Sequence, residues 1–117
     1  MPNPQDLFFY ASLALAGFLV LRFVLAARNR ITGSDARAKV EAGAQLLDVR
    51  SPAEFRAGAI PGAKNISVQA LSGRLKELAK DKPVVVYCAS GMRSASAVSI
   101  LKQGGYEAYD LGPASAW

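Results

Sequence analysis

Apolar residues follow three distinct patterns along this chain. The first is an unbroken run. Residues 7–27 read LFFYASLALAGFLVLRFVLAA, 21 positions with a single charge, Arg22. About 20 apolar residues span a hydrocarbon core of roughly 30 Å. The second pattern is a set of short apolar stretches bounded by turn residues: 45–49 (QLLDV), 65–67 (NIS), 84–88 (VVVYC) and 106–111 (YEAYDL). Short runs of this kind read as strands, and the β-branched 84–86 run suits a strand covered on both faces. The third pattern has helical spacing. Leu71, Leu75 and Leu78 mark one helix, and Ala95, Val98 and Leu101 another.

Punctuation residues set the expected ends of these elements. Ser34 is read as the cap of a helix running to Ala42, with Asp35 favourable in its first turn, Val40 as its clearest apolar contact and Gly43 just past its end. Ser51 followed by Pro52 opens a helix of one or two turns, through Ala57 to Gly58. Pro61-Gly62 is a turn. The leucine-spaced helix is expected to end near Lys80. Ser94 is the expected N-cap of the last helix, and Gly104-Gly105 terminates it. Gly112-Pro113 is expected to break the chain after the last strand. Strands alternating with helices predict an α/β fold, a small parallel sheet with helices on both faces, preceded by one transmembrane helix. A chain of 117 residues has room for one such domain. The division is residues 1–30 as a single-pass membrane anchor with its basic flank, and 31–117 as the folded domain.

Charge gives the anchor a direction. No Lys or Arg precedes residue 7, whereas Arg28, Arg30, Arg37 and Lys39 come after the run. The positive-inside rule then places the N-terminus outside and the domain in the cytoplasm, at the cell (inner) membrane. A central arginine costs roughly 2.5–3.5 kcal/mol on insertion scales. Arg22 lies near one end and can snorkel to the interface beside Arg28 and Arg30. Two rivals fit less well. A cleaved signal peptide wants a positive n-region, and an interfacial helix wants a polar face. Residues 29–33 form a short linker that keeps the domain close to the membrane surface.

Composition narrows the chemistry. The net charge is +5, but residues 31–117 hold 11 basic and 8 acidic side chains, only +3. These are scattered without aromatic interleaving, so no nucleic-acid partner is expected. The chain has no histidine and one cysteine. That excludes His general bases, His-ligated metal sites, Cys-cluster zinc sites and an internal disulfide. Cys88 sits where the 84–88 strand ends, and in open α/β sheets ligands bind outside the carboxyl ends of strands. A cysteine facing a helix N-terminus, with Gly91 free to take positive φ and Arg93 close by, is favoured as the nucleophilic thiolate. The competing reading is a buried structural cysteine.

Three motifs in order carry a family resemblance. Leu47-Asp48-Val49-Arg50-Ser51-Pro52-Ala53-Glu54-Phe55 and then Gly58-Ala59-Ile60-Pro61-Gly62-Ala63-Lys64-Asn65-Ile66 resemble the first signature of the rhodanese (thiosulfate sulfurtransferase) family. Val86-Tyr87-Cys88-Ala89-Ser90-Gly91-Met92-Arg93-Ser94-Ala95 resembles its active-site loop. Gly104-Gly105-Tyr106 through Leu111-Gly112, with Trp117, is similar to the family's segment beyond that loop. The match covers residues 31–117. It implies a small α/β domain whose cysteine takes a sulfane sulfur from a small anionic donor such as thiosulfate. The resulting persulfide then passes its sulfur to cyanide, a thiol or a protein acceptor, with no metal or cofactor.

Carried over by motif, Cys88 is the nucleophile. The amides of Ala89, Ser90, Gly91, Met92 and Arg93 cradle the outer sulfur and the donor oxygens. Arg93 attracts anionic donors, and Ser94 caps the helix. Asp48, Arg50 and Glu54 look like an ion-pair network beneath the loop. Cysteine phosphatases of related fold place five residues between Cys and Arg. Here there are four, and Tyr87 stands where they usually carry His. The sequence departs from the rhodanese pattern at Ala59, where the family usually has His, and at Lys64, a commonly apolar position. It also ends at Trp117, where many relatives continue with a helix; an unanchored Trp117 would expose apolar surface. Three functional readings are supported, in this order: a membrane-anchored sulfurtransferase, a non-turnover sulfur-relay or protein-docking module at the membrane, and a thiol redox sensor. The last needs an external resolving thiol.

Overall fold

A computed structural model describes residue 1 and residues 3–117, the side chains of residues 23 and 26–28 excepted. The Arg28 side chain, beside which Arg22 is expected to snorkel, therefore lies outside the described residues. The elements run in the order α1 (Pro4–Arg28), α2 (Gly33–Glu41), β1 (Gln45–Asp48), α3 (Pro52–Ala57), β2 (Lys64–Asn65), α4 (Val68–Arg74), β3 (Val84–Cys88), α5 (Met92–Gln103) and β4 (Ala108–Pro113). Short 3₁₀ turns come after α4, at Leu75–Glu77, and after β4, at Ala114–Ala116.

The four strands form one parallel sheet in the order β2-β1-β3-β4. Strand side chains alternate between faces, and both faces of this sheet are covered. Leu47, Val84, Val86 and Cys88 pack with Leu71 of α4 and Ala97 and Leu101 of α5. Leu46, Val85 and Tyr87 pack on the other side with Ala36 of α2 and Leu111. Every residue of β3 is buried, which is why its sequence is apolar throughout rather than alternating. The α/β expectation, a small parallel sheet flanked by helices, is what the fold displays.

Several element ends differ from expectation, each for a local reason. Thr32, not Ser34, caps α2: its hydroxyl accepts from the Asp35 amide at 3.1 Å. Ala36 is the helix's buried contact, and Val40 packs beside it only partly buried. The leucine-spaced α-helix stops at Arg74 and tightens into a 3₁₀ turn. Tyr106 there donates its hydroxyl to the Leu75 carbonyl at 2.6 Å, and residues three apart in such a turn share one side. Gly112 and Pro113 do not break the last strand but complete it. Tyr87 pairs with Gly112 rather than Leu111, a bulge that Gly112 accommodates at φ +83°. Trp117 is not loose: it packs against the Ala36–Tyr87 cluster, and Arg37 donates to its carbonyl.

The described apolar side chains of the 25-residue α1 are exposed. Over Pro4–Arg22 it is long and apolar enough to cross a membrane by length and composition, a test that signal sequences also pass. The segment after it is more than a linker. Arg30 forms a parallel bridge with Asp110, and the Ile31 amide donates to the Asp110 carbonyl at 2.8 Å. The chain thus docks on β4 as it leaves α1.

Candidate functional site

The site begins with strand β3 delivering Cys88 to the sheet's carboxyl edge. Between β3 and α5 lie only Ala89, Ser90 and Gly91. Gly91 takes φ +98°, a left-handed conformation open to glycine at little cost, and this turns the chain so sharply that α5 starts at Met92. Ser94 is therefore in the first turn and does not cap the helix. Its hydroxyl donates back to the Gly91 carbonyl at 3.1 Å. The acceptor at the helix start is Cys88 itself. Its Sγ receives the Gly91 amide at 2.9 Å and the Ser94 amide at 3.3 Å. A helix leaves its first amides without internal partners, and here the sulfur takes two of those at the helix start.

This geometry aims hydrogen-bond donors at the sulfur. Two backbone N–H groups and the positive end of a 12-residue helix converge on one atom. Cys88 itself is fully buried, while Ala89, Ser90 and Met92 above it are exposed, Met92 at 67%. Of the loop amides expected to form a cradle, Gly91 reaches the sulfur. Ser94, expected as a cap, contributes its amide instead.

The charged residues sort into two separate pairs. Arg50 holds Asp48 through bonds of 2.7–3.1 Å and also donates to the Gly58 carbonyl at 2.7 Å. Asp48 is fully buried, and its hydrogen bonds to Arg50 raise the Arg50 pKa further. The second pair crosses from α3 to α5. Glu54 accepts from Arg93 at 2.7 and 3.0 Å and also closes a capping box with Ser51. The Arg93 hydrogen bonds, helped by the Ser51 amide, hold the Glu54 carboxyl down at about 2. Arg93 thus stands beside the loop with its charge already matched. Tyr87, behind the cysteine, accepts the Ile60 amide at 3.1 Å, and burial pushes its phenol up to about 12. Ala59, next in the same turn, is exposed.

One functional candidate carries no signal in the motifs. Arg30 comes from the α1–α2 junction, and its guanidinium lies against Gly91 and Gly112. It lines a cavity of about 310 Å³ with Leu19, Arg22, Gly91, Met92 and Ser96. A larger cavity of about 660 Å³ runs along α5 towards Tyr106, away from the loop. Among the described residues no three His, Cys, Asp or Glu side chains group as metal ligands.

Fold and site together define a parallel α/β domain with a cysteine seated between a central strand and a helix N-terminus. The sequence profile of the rhodanese-like domain matches residues 32–112, and the chain belongs to that family. It is 46% identical over 69 residues to the uncharacterized protein YqhL of Bacillus subtilis, covering 58% of this chain and 55% of that one. It is 36% identical over 78 residues to the thiosulfate sulfurtransferase GlpE of Pseudomonas syringae, covering 67% and 74%. The human single-domain sulfurtransferase TSTD1 superposes with a TM-score of 0.62 at 30% identity, covering 76% and 91%. The chain spans about half the length of the first curated relative it matches.

Proposed function

We propose that this protein is a membrane-anchored sulfurtransferase with Cys88 as its sulfur carrier. The Cys88 thiolate attacks the outer sulfur of thiosulfate. A new S–S bond forms as the donor's own S–S bond breaks, and the electron pair leaves with sulfite. Attack by a thiolate or cyanide on the outer sulfur of the persulfide then regenerates the Cys88 thiolate. The observation that carries this reading is the pair of amides, Gly91 and Ser94, converging on Cys88 Sγ. They are placed to hold the anionic sulfur before and after transfer. The sulfurtransferase names of GlpE and TSTD1 support the same reaction class. The exposed amide-bearing residues Ala89, Ser90 and Met92 would face the donor. Asp48, Arg50 and Glu54 act through position, by bracing the loop's surroundings.

Residues 1–30 would anchor the chain in the cell membrane and 31–117 would work on its cytoplasmic face. What supports this is the apolar length of α1 and the basic residues that come after it. Sulfite release from thiosulfate by the full chain, in the presence of a small thiol, tests the activity. Turnover is expected, and Cys88→Ser abolishes it. Equal turnover by the variant would overturn the assignment. Retention in the membrane pellet after an alkaline carbonate wash tests the anchor, and release to the supernatant would contradict it.

A further inference from the structure

The motif cation of the loop is shared, since Arg93 feels the Cys88 charge while paired with Glu54. Arg93 makes two bonds to Glu54, and Arg50 is committed to Asp48. Among the described residues Arg30 makes no salt bridge, and its Nε is buried without a hydrogen-bond partner. Asp110 feels the Arg30 charge while one of its carboxylate oxygens accepts the Gly112 amide at 2.8 Å. A buried polar group left unpaired is costly and calls for an explanation.

The explanation lies in where the guanidinium sits. A Cβ on Gly91 would overlap Arg30 Nη2 and fall 2.7 Å from Cζ. A Cβ on Gly112 would fall 2.8 Å from Nε and 2.9 Å from Cδ. Both glycines have positive φ. Two glycines therefore form a slot, one from the Cys88 loop and one from the β4 bulge, and Arg30 fills it. The slot wall on the loop side is the residue whose amide reaches Cys88 Sγ. The backbone bridge to Asp110 fixes the other end of Arg30.

We infer that Arg30 is the positioning residue of the Cys88 loop, holding the Gly91 amide on the sulfur and adding a second positive charge beside that of Arg93. This deepens the sulfur-transfer reading and rests on it, because the species to be held there, thiolate, persulfide and anionic donor, are all negative. It also means that the segment between α1 and α2 contributes to the site.

Alkylation of Cys88, the only cysteine, tests this without relying on sulfur transfer. Rate constants are measured on the full chain in detergent with iodoacetate, which is anionic, and iodoacetamide, which is neutral. The iodoacetate-to-iodoacetamide ratio reads the charge at the sulfur and is insensitive to a general change in exposure. Arg30→Gln and Arg30→Met are expected to lower the ratio about threefold. Arg30→Lys is expected to retain most of it. Two uncharged variants guard against one failing to fold, which thermal melts report. A ratio unchanged in the folded uncharged variants overturns the inference, as does an equal fall in Arg30→Lys. Thiosulfate treatment of the same proteins separates the two claims. A lowered ratio with no persulfide on the wild type leaves Arg30 in its role and removes the proposed reaction. Persulfide formation with an unchanged ratio does the reverse.

Discussion

Glu54 and Arg93, 39 residues apart, join α3 to the first turn of α5 through two hydrogen bonds, 2.7 Å between Oε1 and Nη1 and 3.0 Å between Oε2 and Nη2. The pair ties the helix after Cys88 to the helix opened by Ser51. It is partly exposed, so its value lies in placement more than in stability.

The pair has a pH signature. Glu54 is held at about 2, below the ordinary carboxylate value of 4.5. A depressed carboxylate adds stability above its unfolded pKa and loses it as pH falls through the folded one. The melting temperature should therefore fall between about pH 4.5 and pH 2, and Glu54→Gln should flatten part of that fall. Glu77, held at about 2 by Arg74 and Lys64, contributes in the same window, so the flattening is partial. An unchanged profile in Glu54→Gln would show that the pair is not formed in solution.

The Asp48–Arg50 pair should behave differently, because Asp48 is fully buried and the Arg50 side chain is only 13% exposed. Arg50→Ala leaves a buried carboxylate without its partner and frees the Gly58 carbonyl. A loss of about 3 kcal/mol in urea unfolding is expected. A change below about 1 kcal/mol would mean that water replaces the guanidinium readily.

Gly91 and Gly62 offer a matched comparison. Both have positive φ, +98° and +87°, but a Cβ on Gly62 meets nothing within 4 Å whereas one on Gly91 strikes Arg30. Backbone strain alone should cost Gly62→Ala about 1 kcal/mol. Gly91→Ala should cost measurably more in the same urea titration and should abolish sulfur acceptance. Equal losses would show that the Arg30 contact does not constrain the loop.

Much of this architecture is legible in the sequence because local rules and burial agree. The VVVYC run is apolar since both faces of β3 are covered, and Ser51-Pro52 caps α3 as its order predicts. The differences arise where a distant or backbone effect overrides the local signal. Ser94 resembles a cap, but the left-handed Gly91 starts the helix earlier and gives the capping role to the Cys88 sulfur. Gly112-Pro113 reads as a break, yet the bulge opposite Tyr87 absorbs it. Glu54 reads as part of one network with Asp48 and Arg50, but its partner is Arg93, and nothing local announces a contact across 39 residues. Arg30 reads as membrane-flanking charge because the two glycines that receive it are far along the chain.

The most direct test of the central claim is the intact mass of the full chain after thiosulfate treatment, measured beside Cys88→Ser. A gain of one sulfur atom on the wild type, removed by cyanide and absent from the variant, is the predicted result. A folded wild-type protein with a free thiol and no gain in mass would contradict it.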